Sequence, residues 1–216
     1  MSPLAALLLD WVLTACWPLI GALGMRHYSG ILFANVGLLL GGVLLCPFIL
    51  KGGSWRALFD RRTAPVMAAM GFLSGGVTII FISALNFTSP ANAAIMAQVE
   101  VLYSALLCGY FLRERISAKQ ALASSLIVAG TALIMLNDLA SPRWKGDLMI
   151  LASPWMFQLS HLLAKRLPVD IDGLTLAAGR IFYGLVTLAP FSFWSLWHGG
   201  RWSWEPQSLT ILAVQG

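Results

Sequence analysis

Phe81-Ile-Ser-Ala-Leu-Asn-Phe-Thr-Ser-Pro-Ala-Asn-Ala-Ala-Ile95, then Gln98-Val-Glu-Val-Leu102, then Gly109-Tyr-Phe-Leu-Arg-Glu-Arg-Ile116, is the stretch that decides how this chain folds. It contains the end of one apolar run, a polar turn at Asn86-Phe-Thr-Ser-Pro90, and a second run of small and apolar residues closed by a basic turn. A single carboxylate, Glu100, stands near the middle of the second run. A bilayer core requires about 20 mostly apolar residues per helix, and residues 91–112 fit that length.

The same rule carried outward predicts spans at residues 4–23, 31–50, 64–85, 91–112, 118–136, 146–164 and 174–197. An eighth apolar run begins near Leu209, and a span cut so short is expected of a fragment. The gaps are short and turn-like, with no room for a soluble domain, so any chemistry must lie inside the bundle. Composition agrees: the chain is 58% hydrophobic and 11% charged, and its mean hydropathy is +0.79. A soluble domain carries about 25% charged residues. The net charge of +5 comes from residues in the gaps between spans, which speaks against a nucleic-acid partner. Cys16, Cys46 and Cys108 are scattered through apolar runs, so packing is expected of them and neither a disulfide framework nor a metal site. No basic segment precedes the first run, which is read as a retained helix and not a cleaved signal.

Lys51, Arg56, Arg61, Arg62, Arg113, Arg115, Lys119, Lys165 and Arg166 fall on one side of the predicted spans, against Arg26, Arg143, Lys145 and Arg201 on the other. Nine against four predicts a cytoplasmic N-terminus. Trp55, Trp144, Trp194, Trp197, Trp202 and Trp204 near span ends fit an interfacial aromatic belt. Asp10-Trp11 and Trp17-Pro18 in the first span are echoed by Asp147 and Pro154-Trp155 in the sixth, each followed by a span with a polar residue near its start, Asn35 or Arg180. A five-helix unit repeated after an odd number of crossings is inverted, the plan of many secondary transporters.

The opening stretch, with Gly130-Thr-Ala-Leu-Ile134 after it, resembles the end of an EamA domain, the repeat unit of the drug/metabolite transporter superfamily. In that family an aromatic hairpin leads into a small-residue-rich fourth helix with a Glu mid-helix, usually followed by Pro, and Gly-Glu-Arg or Gly-Glu-Lys at its end. Glu100 matches the first Glu, Glu114 the second, and Gly130 the Gly of the fifth helix. Val101 replaces the usual Pro and Arg113 the usual Gly, which leaves a kink in the fourth helix open. The resemblance implies an all-α polytopic transmembrane bundle of inverted five-helix EamA units. Residues 1–137 would be the first unit and 146–216 the truncated start of a second. It implies a multi-pass protein of the inner or plasma membrane that carries small organic solutes by alternating access. Lipid bilayer and a small-molecule substrate are its expected partners, a homodimer is open, and no cofactor or metal is expected.

Glu100 is the leading candidate for a site. A carboxylate at that depth costs several kcal/mol unless paired, protonated or wetted. It either carries a proton or meets a cationic solute in a central cavity, or it bonds another helix; Ala93, Ala97 and Ser104 on its face allow a tight seam. Arg180 has three readings: clamp for an anionic solute, ion-pair partner of Glu100, or a side chain snorkelling to the interface. His161 titrates near neutrality in water and is either functional or a packed polar group. Asn92 and Tyr103, which share a helical face with Met96, and Asn35 and Gln98 are polar groups at membrane depth able to bond solute. Trp11 and Trp17 either stack on solute or pack. Glu114 reads as a salt-bridging cap, and Gly37/Gly41 and Gly71/Gly75 as close-packing pairs within the monomer or between protomers. No Walker motif, no mid-span Lys for a retinal Schiff base, no HExxH and no GxSxG is present, so ATP drive, light capture and hydrolysis have no visible support. The rivals are an intramembrane enzyme acting on lipid and a non-transporting scaffold or sensor.

Overall fold

A computed structural model describes residues 3–52, 55–111, 117–138, 143–168 and 171–215. The described residues form helices and turns with no strand: α1 (Pro3–Gly24), α2 (Gly30–Gly52), α3 (Trp55–Phe59), α4 (Ala64–Ala84), α5 (Pro90–Ala97), α6 (Glu100–Phe111), α7 (Ala118–Asp138), α8 (Trp144–Ala164), α9 (Gly173–Trp197) and α10 (Pro206–Gln215). Each expected span is occupied by helix to within a few residues. Four described segments, Gly30–Lys51, Ala64–Ala84, Pro90–Phe111 and Gly173–Trp197, are long and apolar enough to cross a bilayer by length and composition. Arg113, Glu114 and Arg115 and the side chains of Asp10, Trp11 and Cys108 lie outside the described residues.

The ends of these helices are set by local chemistry. Ser89 accepts a hydrogen bond from the Asn92 amide at 3.1 Å and Pro90 follows at the first helical position, so the 86–89 turn starts α5. Asp172 caps α9 through the Thr175 amide at 2.8 Å, and that bonding holds the exposed Asp172 carboxyl below the usual carboxylate range. Pro18, Pro47, Pro154 and Pro190 lie inside helices, where membrane bundles tolerate them.

α4 is the centre of the bundle. It packs against α8, α9 and α2, while α2 also packs on α9, α5 and α6 on α8, and α10 on α1 and α2. One apolar core, Leu58, Met67, Met70, Leu167 and Ala178, sits near the start of α4; another, Phe81, Ala84, Ala93, Met96 and Ile150, near its end. The Gly71/Gly75 pair acts inside the monomer. A Cβ on Gly71 would lie 2.3 Å from the Tyr183 Cβ, and one on Gly75 2.8 Å from that of Thr187, so both glycines let α4 and α9 touch backbone to backbone. Gly37 is covered by Gln215 of α10.

Outside, the helices present Leu44, Phe48, Phe72, Leu122, Leu126 and Leu133, each more than 60% exposed. Apolar surface of that extent on one small chain is suited to lipid, not water. The short helix α3 was not foreseen in the basic gap after the second span. It lies with Leu58 buried and Trp55, Arg56 and Phe59 exposed, and its Leu58 carbonyl accepts the Tyr183 hydroxyl at 2.6 Å.

Candidate functional site

The fourth span is one run in sequence and two helices in space. At Gln98 and Val99 the amides bond the carbonyls three residues back, Ile95 and Met96, and Val101 does the same to Gln98. Such 3-10 spacing turns about 120° per residue against about 100° in an α-helix, so the face rotates across the break. The break arises without the Pro that the family usually places there. It makes Glu100 the first residue of α6, the end of the helix whose dipole favours a carboxylate.

The partner of Glu100 is a neutral amide. Gln158 of α8 donates from Nε2 to Glu100 Oε1 at 2.7 Å. The ion pair with Arg180 considered from the sequence is not formed. Arg180 of α9 instead reaches α8 lower down, where its Nη2 lies 3.0 Å from His161 Nδ1. The reason is rotational: α8 reaches α6 through Gln158 and α9 through His161, while α8 and α9 each pack mainly on α4. Ser160 points to a third neighbour, α4, bonding the Met70 carbonyl at 3.3 Å and lying 3.4 Å from Ser74 Oγ. Gln158, Ser160 and His161 thus form a polar belt on α8. Gln158, Ser160 and Ser74 were not picked out from the sequence; two polar residues three apart in an apolar run, Gln158 and His161, were the available signal.

The remaining candidates divide. Tyr103 stands edge-on to Trp155 of α8, 5.6 Å between ring centres, close to the Glu100 contact. Asn92 is half-buried in the first turn of α5, on the far side of the break from Tyr103, and Met96 is fully buried core, so the shared face expected of these three does not form a single wall. Asn35 donates to Ser192 of α9 at 2.8 Å, while its Oδ1 is buried without a hydrogen-bond partner. Trp17 both packs on Phe81, 4.7 Å between ring centres, and lines a cavity of about 480 Å³ with residues of α2, α4, α9 and α10, among them Thr78, Ile181 and Gln215. Thr78 bonds the Ser74 carbonyl one turn back in α4 at 3.0 Å. Among the described residues no cluster of His, Cys, Asp and Glu is arranged to hold a metal.

A long apolar bundle with one broken helix and its polar groups turned inward has a match among known families. The model of the EamA-like transporter family aligns with residues 1–136. The chain belongs to the EamA family. No curated protein matches it. Members of the EamA family are multi-pass membrane proteins and generally transporters, and the apolar exterior of this one fits that class. The matched residues contain Glu100, Asn35, Asn92, Tyr103 and Trp17; Arg180 and His161 lie beyond them.

Proposed function

We propose that this EamA protein is a secondary transporter of small organic solutes, working by alternating access, with Glu100 as the group that binds the coupling ion or the solute. The observation that carries this reading is the Glu100–Gln158 contact at 2.7 Å, made at the break of the fourth span. A lattice of structural ion pairs would have given Glu100 a cation. A neutral amide can serve either state of the carboxyl, because Gln offers a donor to a carboxylate and an acceptor to a carboxylic acid. That freedom is what a group that loads and releases a cation during each cycle needs.

The packing pattern supports an inverted repeat. α4 packs on α8 and α9 as α10 does on α1 and α2, which is the relation expected if α8, α9 and α10 are the first three helices of a second unit. In this reading residues 1–137 form the first unit and residues 146–216 belong to the second, with the N-terminus in the cytoplasm of a cell bounded by this inner or plasma membrane.

The test is solute-driven proton flux in proteoliposomes carrying the whole chain, wild type against Glu100→Gln. The variant is expected to insert and melt like wild type and to lose coupled flux by an order of magnitude or more. Unchanged coupled flux would remove Glu100 from the cycle.

A further inference from the structure

Arg180 is bonded by no carboxylate among the described residues. It lies seven residues into α9, about two turns or 10 Å from the helix start, and is half-buried. Its Nε is buried with no hydrogen-bond partner, its Nη2 meets His161, and its guanidinium carbon lies 5.8 Å from the centre of the Phe157 ring. The described carboxylates nearest in role are occupied elsewhere. Glu100 holds Gln158, Asp147 holds Thr88, and Asp172 caps its own helix. A guanidinium at that depth without a counter-charge is costly, and fork geometry suits it to a carboxylate or phosphate.

The contact with His161 also sets that ring's state. Guanidinium nitrogens only donate, so Nδ1 must accept and the proton of the neutral imidazole sits on Nε2. Among the described residues Nε2 makes no hydrogen bond and is not sealed from its surroundings. Phe157 packs edge-on to the ring at 4.6 Å between centres and fixes its plane. The pair therefore presents two kinds of donor, the guanidinium and one imidazole N–H, and no acceptor. The same end of the bundle is basic. Lys165 and Arg166 are exposed just past α8, and Arg56 and Arg62 line a groove with Trp55 and Pro168, tempered by Asp60. Such a mouth raises the local concentration of anions.

We propose that Arg180 and His161 form a subsite for an anionic oxygen group, a carboxylate or phosphate, carried either by the transported solute or by a lipid headgroup. The solute form rests on the transport reading and narrows it to anionic solutes; the lipid form stands without it. Glu100 and Arg180 then serve separate tasks, cation coupling on α6 and anion capture on α9.

The test reads the His161 ring directly. The chain has three histidines, so labelling with [15N]histidine resolves His161 by comparison with His161→Gln. Sodium phosphate is titrated into the protein in neutral detergent. In a second arm the protein is placed in nanodiscs of phosphatidylcholine alone or with phosphatidylglycerol. A saturable shift of the His161 nitrogens is expected in at least one arm. A phosphate response assigns the site to solute, and a phosphatidylglycerol response assigns it to lipid. Arg180→Gln should lose the shift and Arg180→Lys recover part of it. A His161 silent in both arms overturns the proposal, as does a shift that persists unchanged in folded Arg180→Gln. The two readings fail separately. Normal flux in Glu100→Gln leaves the His161 response standing, and a silent His161 leaves the coupling role of Glu100 standing.

Discussion

Asp147 shows how a single residue ties the turn before α5 to α8. It is fully buried at the start of α8, takes the Thr88 hydroxyl on Oδ1 at 2.6 Å, and leaves Oδ2 without a partner. Next to it Gly146 has no space for a side chain, because a Cβ there would lie 2.8 Å from the Ala84 carbonyl oxygen and 2.9 Å from the Thr88 amide. The 86–89 turn is thereby seated on α8. A buried carboxylate that loses its donor is left to bear its own desolvation, about 1–3 kcal/mol and more when it is charged. Thr88→Val keeps the shape and removes the donor, so its melting temperature in detergent should fall clearly, while Thr88→Ser should stay near wild type. Equal melting of all three would mean that the hydroxyl contributes nothing. The sequence marked Asp147 only as the opening of a span, since nothing local says that residue 88 will reach residue 147.

Helices differ in what their glycines are for. In α4, Gly71 is in contact with α9, and a methyl group there meets both Tyr183 Cβ at 2.3 Å and the Tyr183 carbonyl carbon at 2.8 Å. Backbone cannot step aside as a flexible side chain would, so Gly71→Ala must part α4 from α9 and disturb the Tyr183–Leu58 bond. In α7, a Cβ on Gly130 meets nothing within 4 Å. There the intrinsic preference of a helix for Ala over Gly, about 1 kcal/mol, is unopposed. Thermal melting should therefore shift in opposite directions, down for Gly71→Ala and up for Gly130→Ala. A rise for Gly71→Ala would refute the close α4–α9 approach. The break between α5 and α6 belongs to this scale too. Sequence left it open because Val101 replaces the usual Pro, and the backbone breaks nonetheless.

Across the whole molecule, the spans predicted from the sequence put an odd number of crossings between Arg62, before α4, and Gln207, at the start of α10. Both are exposed. The excess of Lys and Arg on the Arg62 side predicts that it faces the cytoplasm. In a cysteine-free background, Arg62→Cys should resist an impermeant maleimide applied to intact cells and Gln207→Cys should react. Labelling of both from outside would break the crossing count, and the reverse pattern would invert the orientation.

The sequence alone was enough to locate the apolar helices among the described residues and the family. In lipid each helix must satisfy its own backbone, so length and apolarity, which are local properties, decide where a span starts and stops. It also marked Glu100, Arg180 and His161, because a polar group in an apolar run is conspicuous wherever it points. Which of them meet was decided only by the tertiary structure. Helices apolar on all sides carry no periodic stripe to say which face turns inward, and the 3-10 step at Gln98 and Val99 rotates Glu100 relative to Asn92. So Glu100 meets Gln158 and Arg180 meets His161, two partnerships that depend on how α8 is turned between its neighbours.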